Sequence, residues 1–154
     1  MIKVSSSVIK SIKWFFIFVV IDIFYTNLIS WIIDTFVNNS DIVLKGNEDS
    51  IKDNFGLVVF YGPLAETLCF QLVIIWIFYN ILENYKISIL ISSMIFSIFH
   101  FFNIYFVIAA FGSGLMLSSY FCIVHKEFKN WHMPFIFTFL FHLQHNLFSF
   151  YVNH

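Results

Sequence analysis

The sequence predicts an all-α fold, a polytopic membrane helix bundle of about five transmembrane helices. Three observations carry this. The first is composition: 60% of the 154 residues are hydrophobic, 22% aromatic and only 11% charged, with a mean hydropathy of +0.84. A soluble domain covers its surface with about 25% charged residues, and this chain lacks them. The second is arrangement, since apolar runs long enough to cross roughly 30 Å of hydrocarbon alternate with short polar segments. The third is lysine placement. With a cytoplasmic N-terminus, Lys3, Lys10, Lys13, Lys86, Lys126 and Lys129 lie inside, while only Lys45 and Lys52 lie outside among several acids. That satisfies the positive-inside rule and predicts a multi-pass protein of the cell membrane.

The length fits one domain, in three segments: an N-terminal transmembrane helix over 1–34, a polar loop over 35–54 and a helical core over 55–154. A net charge of -1, with no basic patch alternating with exposed aromatics, offers nothing for nucleic acid. Cys69 and Cys122 both sit in apolar runs, which predicts buried free thiols.

In the first span, Trp14 to Ile33, tryptophans at 14 and 31 suit the two interfaces. Asp22, Thr26 and Ser30 recur at helical spacing and form a polar stripe turned towards neighbouring helices. Residues 34–54 are polar and of mixed charge, as in an aqueous loop. The next apolar run, Phe55 to Leu82, is interrupted by Gly62-Pro63, so a break is expected there, with the main helix beginning near Pro63. Glu83-Asn84-Tyr85-Lys86 reads as a tight turn. Ile87 to Cys122 is too long for one span, and Asn103 is the natural turn between helices near 87–102 and 105–124. Gly112 and Gly114 permit close helix contact in the second of these. After the polar 125–130 segment, Pro134 opens a last helix over about 134–152. His125, His132 and His154 fall near polar segments or the chain end and read as solvated or interfacial.

Glu66 is the residue on which a function can be built. A charge near the bilayer centre costs about 2.5–3.5 kcal/mol on insertion scales, so such a group should face inward onto polar partners or water. At the first turn of a helix the dipole also favours a carboxylate. An antiparallel arrangement of successive spans brings Glu66, early in the second, to the same side of the membrane as His100, late in the third. His142 and Asn146, late in the fifth, fall on that side too. His142 and Asn146 share a helix face, and Phe96 lies one turn below His100. Gln71, five residues from Glu66, lies well round an α-helix and suits a supporting role. A carboxylate, two imidazoles and a carboxamide at a hydrated intramembrane site suit hydrolysis: the carboxylate can act as general base, and the N–H donors can stabilise an oxyanion. A different set, Glu66, His100, His142 and His145, has the donors of a divalent-metal or haem site. The hydrolytic reading needs no cofactor.

The chain resembles the CAAX protease and bacteriocin-processing (CPBP, or Abi) family of intramembrane endopeptidases. Its pattern is a proline-led EExxxR motif, then FxxxH, then HxxxN, each on its own membrane helix. Here Pro63 precedes Glu66-Thr67-Leu68-Cys69-Phe70-Gln71, followed by Phe96-Ser97-Ile98-Phe99-His100 and His142-Leu143-Gln144-His145-Asn146. The likeness covers about residues 58–152, including the glycine-containing helix around Gly112 and Gly114. It implies that Glu66 and His100 activate a water and that His142 and Asn146 hold the oxyanion. The substrate would be a peptide or a membrane-anchored protein. Thr67 stands where the pattern has a second Glu, and Gln71 where it has Arg, so each position loses a charge. The alternative on the same fold is a non-catalytic bacteriocin self-immunity or membrane interaction protein.

Overall fold

A computed structural model describes residues 5–36, 54–101 and 103–152. Among these the protein is all-helical, with five helices in an up-and-down bundle. They are α1 (Ser6–Phe36), α2 (Leu57–Leu82), α3 (Tyr85–Phe99), α4 (Ile104–Phe128) and α5 (His132–Val152). The polar loop expected over 35–54 lies outside the described residues but for its ends, as do Lys3, Lys45, Lys52 and His154.

The turns follow from local chemistry. α2 stops where Glu83 takes a left-handed conformation (φ 50°) and donates its N–H to the Tyr79 carbonyl. Asn84 then caps α3, its Oδ1 accepting from the amides of Lys86 and Ile87. Asn103 caps α4 through the amide of Phe106 at 2.9 Å, as its place between two apolar runs suggests. α4 ends on Lys129 (φ 54°), and Asn130 accepts from Met133 at the start of α5.

Three helices, α1, α2 and α4, are long and apolar enough to cross a membrane. α3 has 15 residues rather than the span expected over 87–102. It ends because His100 leaves the helical region (φ -97°, ψ 31°). α5 has 21 residues and is less apolar than α1, α2 and α4, carrying His132, Thr138, His142, Gln144, His145, Asn146 and Ser149.

The expected break at Gly62-Pro63 does not occur. α2 runs through it, widening into π geometry over Leu57–Tyr61 before the proline and over Thr67–Ile74 after it. A wider turn leaves room for a pyrrolidine ring that would clash with a carbonyl in regular α-helix.

The core is aromatic. Phe18, Phe96, Leu117, Tyr120 and Phe141 are buried together, and Phe15, Phe18, Tyr120 and Phe141 meet edge-on or tilted. A second cluster, Ile75, Phe121 and Cys122, packs on Trp131 and Phe135. Cys122 is the buried free thiol expected, whereas Cys69 is exposed, on the outer side of α2. His125, expected to be solvated or interfacial, is not solvated: it packs near the end of α4 against Trp131, with Nδ1 2.8 Å from the Tyr85 hydroxyl. Trp131 comes from the helix connection, and its ring displaces water from His125.

Small residues set the helix spacing. α3 turns Ser88, Ser92, Ser93 and Ser97 inward, and Ser92 meets Ser118 of α4 at 2.8 Å and donates to the Phe70 carbonyl of α2. A β-carbon at Gly114 would sit 3.2 Å from the Ser93 Cα, and one at Gly112 would fall on the Tyr25 hydroxyl. Tyr25 uses that space to donate to the Ala109 carbonyl at 3.1 Å, joining α1 to α4. Gly112→Ala is expected to push Tyr25 out and lower stability by about 1–3 kcal/mol, read as a lowered denaturation midpoint in detergent.

Candidate intramembrane site

The helix ends C-terminal in α1, α3 and α5 and N-terminal in α2 and α4 lie together, and the polar residues gather there. Glu66 of α2 stands between two imidazoles from different helices. Its Oε2 is 3.6 Å from Nε2 of His100 on α3 and 3.4 Å from Nε2 of His142 on α5. The side chains of Glu66 and His100 are 27% and 20% exposed, whereas that of His142 is 2% exposed. The acid and one base are therefore accessible, and the other base is enclosed.

Each imidazole is held through its remaining nitrogen. His100 Nδ1 lies 2.7 Å from the Phe96 carbonyl. A carbonyl only accepts, so Nδ1 carries a proton and neutral His100 keeps its lone pair on Nε2, facing Glu66. In the neutral ring Nε2 and the carboxylate are both acceptors 3.6 Å apart, and a water donating to both would bridge them. The Phe96 ring packs on that of His100, with centroids 4.2 Å apart, and meets His142 at 6.0 Å. Ser88, Ser92, Phe96 and His100 fall at four-residue intervals, so the stripe that packs α3 into the bundle also delivers His100.

His142 Nδ1 is 3.2 Å from the Thr67 hydroxyl, a buried contact between α5 and α2. When Thr67 donates, neutral His142 keeps its proton on Nε2 and becomes a fixed N–H donor beside Glu66. The departure at position 67 thus places a hydroxyl where it can set the tautomer.

Gln71 and Asn146 sit differently from the geometry of a plain α-helix. The π segment of α2 closes on i→i+5 bonds, so residues four and five apart both return to nearly the same side. Gln71, four residues after Thr67, is turned inward with it. It is fully buried, and its amide oxygen and nitrogen have no protein hydrogen-bond partner. Asn146 donates from Nδ2 to the Val58 carbonyl at 2.9 Å. In the π turn preceding it, the Gly62 N–H bonds the Leu57 carbonyl. The next donor in that register would be Pro63, which has no N–H, so the Val58 carbonyl is left for Asn146. Asn146 is thereby a clamp between α5 and the proline-containing turn of α2.

A further contact joins Asp22, a member of the polar stripe of α1, to His145, which the sequence offered only as a metal donor. Asp22 of α1, fully buried, holds His145 of α5, both carboxylate oxygens lying 2.9 Å from Nδ1. The polar stripe turned Asp22 inward, but its partner depends on the packing of α1 against α5. His145 gives its Nδ1 to Asp22, and among the described residues no group of three or more His, Cys, Asp or Glu is disposed to hold a metal ion.

No family model, curated protein or solved structure matches this chain.

Asn146→Ala is expected to cost about 0.5–1.5 kcal/mol in the wild-type background. In Pro63→Ala, where residue 63 regains an N–H, the cost should fall close to zero. A double-mutant cycle of unfolding in detergent checks this.

Proposed function

We propose that this chain is an intramembrane endopeptidase of the CAAX protease and bacteriocin-processing type. The observation that carries the reading is Glu66 standing partly exposed between His100 and His142, each imidazole held by a separate contact. A water taken up between Glu66 and the unprotonated Nε2 of His100 gives one proton to the carboxylate as its oxygen attacks the peptide carbonyl. The oxyanion that forms is met by the His142 Nε2–H, which Thr67 orients, and by the second N–H of Asn146. When the C–N bond breaks, Glu66 returns its proton to the leaving amine, and the carboxylate is restored. The uncharged residues at 67 and 71 are compatible with this sequence, because neither charge of the family pattern is used in it.

The substrate is a peptide or a membrane-anchored protein, since the nucleophile lies within the helical bundle. The test is cleavage of a library of acylated, fluorescence-quenched peptides by the purified protein in lipid nanodiscs. Glu66→Gln is expected to reduce cleavage by about 10²–10⁴-fold, with helix content and insertion unchanged. Cleavage at the wild-type rate by that variant would remove Glu66 from the mechanism.

Two observations favour a second reading. Asn146 already spends an N–H on Val58, and Gln71 is neutral and buried, as suits a fold kept for binding rather than for chemistry. On that reading the protein is a bacteriocin self-immunity or membrane interaction protein. Glu66→Gln and His142→Ala would then protect a producing cell as fully as wild type, whereas loss of protection in both supports catalysis.

A further inference from the structure

Asp22 and His145 take no part in the reaction above, yet they adjoin it. Asp22 is an acid in mid-helix, buried and matched by a single imidazole. His145 lies one helical turn from His142, with ring centroids 6.4 Å apart. Around it stand Asp22 from α1, Glu66 from α2 and His142 from its own helix, and His100 of α3 lies on the far side of Glu66. α4 presents no acid or base here. Its His125, Lys126 and Glu127 lie at the opposite end, where Glu127 pairs with Lys10. The row does not continue through the bundle either. One turn before Asp22 and one residue before His142 come Phe18 and Phe141, packed with Phe15 and Tyr120. The pair therefore serves the Glu66 end of the bundle and does not link its two ends.

A carboxylate with both oxygens on Nδ1 obliges that nitrogen to carry a proton and fixes the plane of the ring. Nε2, on the edge of the ring turned from Asp22, is then the nitrogen free to meet water. Carboxylate–imidazole pairs orient histidines in this way wherever the second nitrogen has work to do.

We propose that Asp22 and His145 form a positioning pair for the Glu66–His142 cluster, making the N-terminal helix part of the site: Asp22 fixes the proton on His145 Nδ1 and presents Nε2 to the water that reaches Glu66 and His142. The part of this that concerns rate rests on the peptidase reading; the part that concerns the histidines does not.

The test uses full-length protein labelled with ¹⁵N-histidine in lipid nanodiscs, comparing wild type with Asp22→Leu, which removes the acceptor, and Asp22→Glu, which keeps the charge. In wild type the His145 Nδ1 should be protonated, with one resonance set. Asp22→Leu should give a mixture of tautomers at His145 and displace the His142 Nε2 resonance, and Asp22→Glu should restore both. In the cleavage assay Asp22→Leu should lower kcat at least tenfold with KM unchanged, and Asp22→Glu should recover most of it. Unchanged His145 and His142 resonances in Asp22→Leu would overturn the proposal, as would cleavage at the wild-type kcat by that folded variant. A wild-type protein that cleaves no peptide would sink the peptidase reading alone, because the spectra still decide whether Asp22 sets the histidines. Should Asp22→Leu fail to fold, the Asp22→Asn spectrum decides in its place, with an unchanged His142 resonance counting against the proposal.

Discussion

Two carboxylates are housed inside a bundle with a lipid-facing exterior, and the rest of the polar architecture follows from that. A charge in such surroundings must be met by donors or water, since the hydrocarbon offers neither. Glu66 is met from α3 and α5, and Asp22 from α5. Each acid is borne by one helix and answered by another, so these contacts select one arrangement of the helices as well as stabilising it. α5 answers both, which explains why its histidines and asparagine crowd into the segment from 142 to 146.

The geometry of α2 is the second determinant. Proline within a helix leaves a carbonyl unpaired and crowds the preceding turn. Here π turns relieve the crowding, and the unpaired Val58 carbonyl becomes the anchor for Asn146. A second widened segment, Thr67–Ile74, carries the buried Thr67 and Gln71. One imino acid thus shapes the helix and orders the contacts around the acid. Pro63 is buried within that packing.

Much of this was legible in the sequence. The apolar runs, the turns at Asn84 and Asn103, and the inward stripe of Asp22 are written in patterns with a direct physical meaning. Antiparallel succession puts Glu66, His100 and His142 towards one side of the bundle, and the packing of α2, α3 and α5 brings them together. What the sequence hid is equally specific. A proline signals a break unless π geometry absorbs it, and that choice depends on neighbours from α5. The environment of His125 depends on where the Trp131 ring falls, and the exposure of Cys69 on which side of a π segment it takes. The partner of Asp22 depends on the packing of α1 against α5, contacts between residues more than a hundred positions apart.

The aromatic layer of Phe15, Phe18, Tyr120 and Phe141 has a consequence for how the bundle is held together. These rings lie between the acid-bearing end of the bundle and the end where Lys10 meets Glu127, and their one hydroxyl, on Tyr120, donates to the Ser11 carbonyl. Because the layer draws its rings from α1, α4 and α5 together, ring size sets the spacing of those three helices there, and a smaller side chain at any one of the four positions would leave a void bordered by the other two helices.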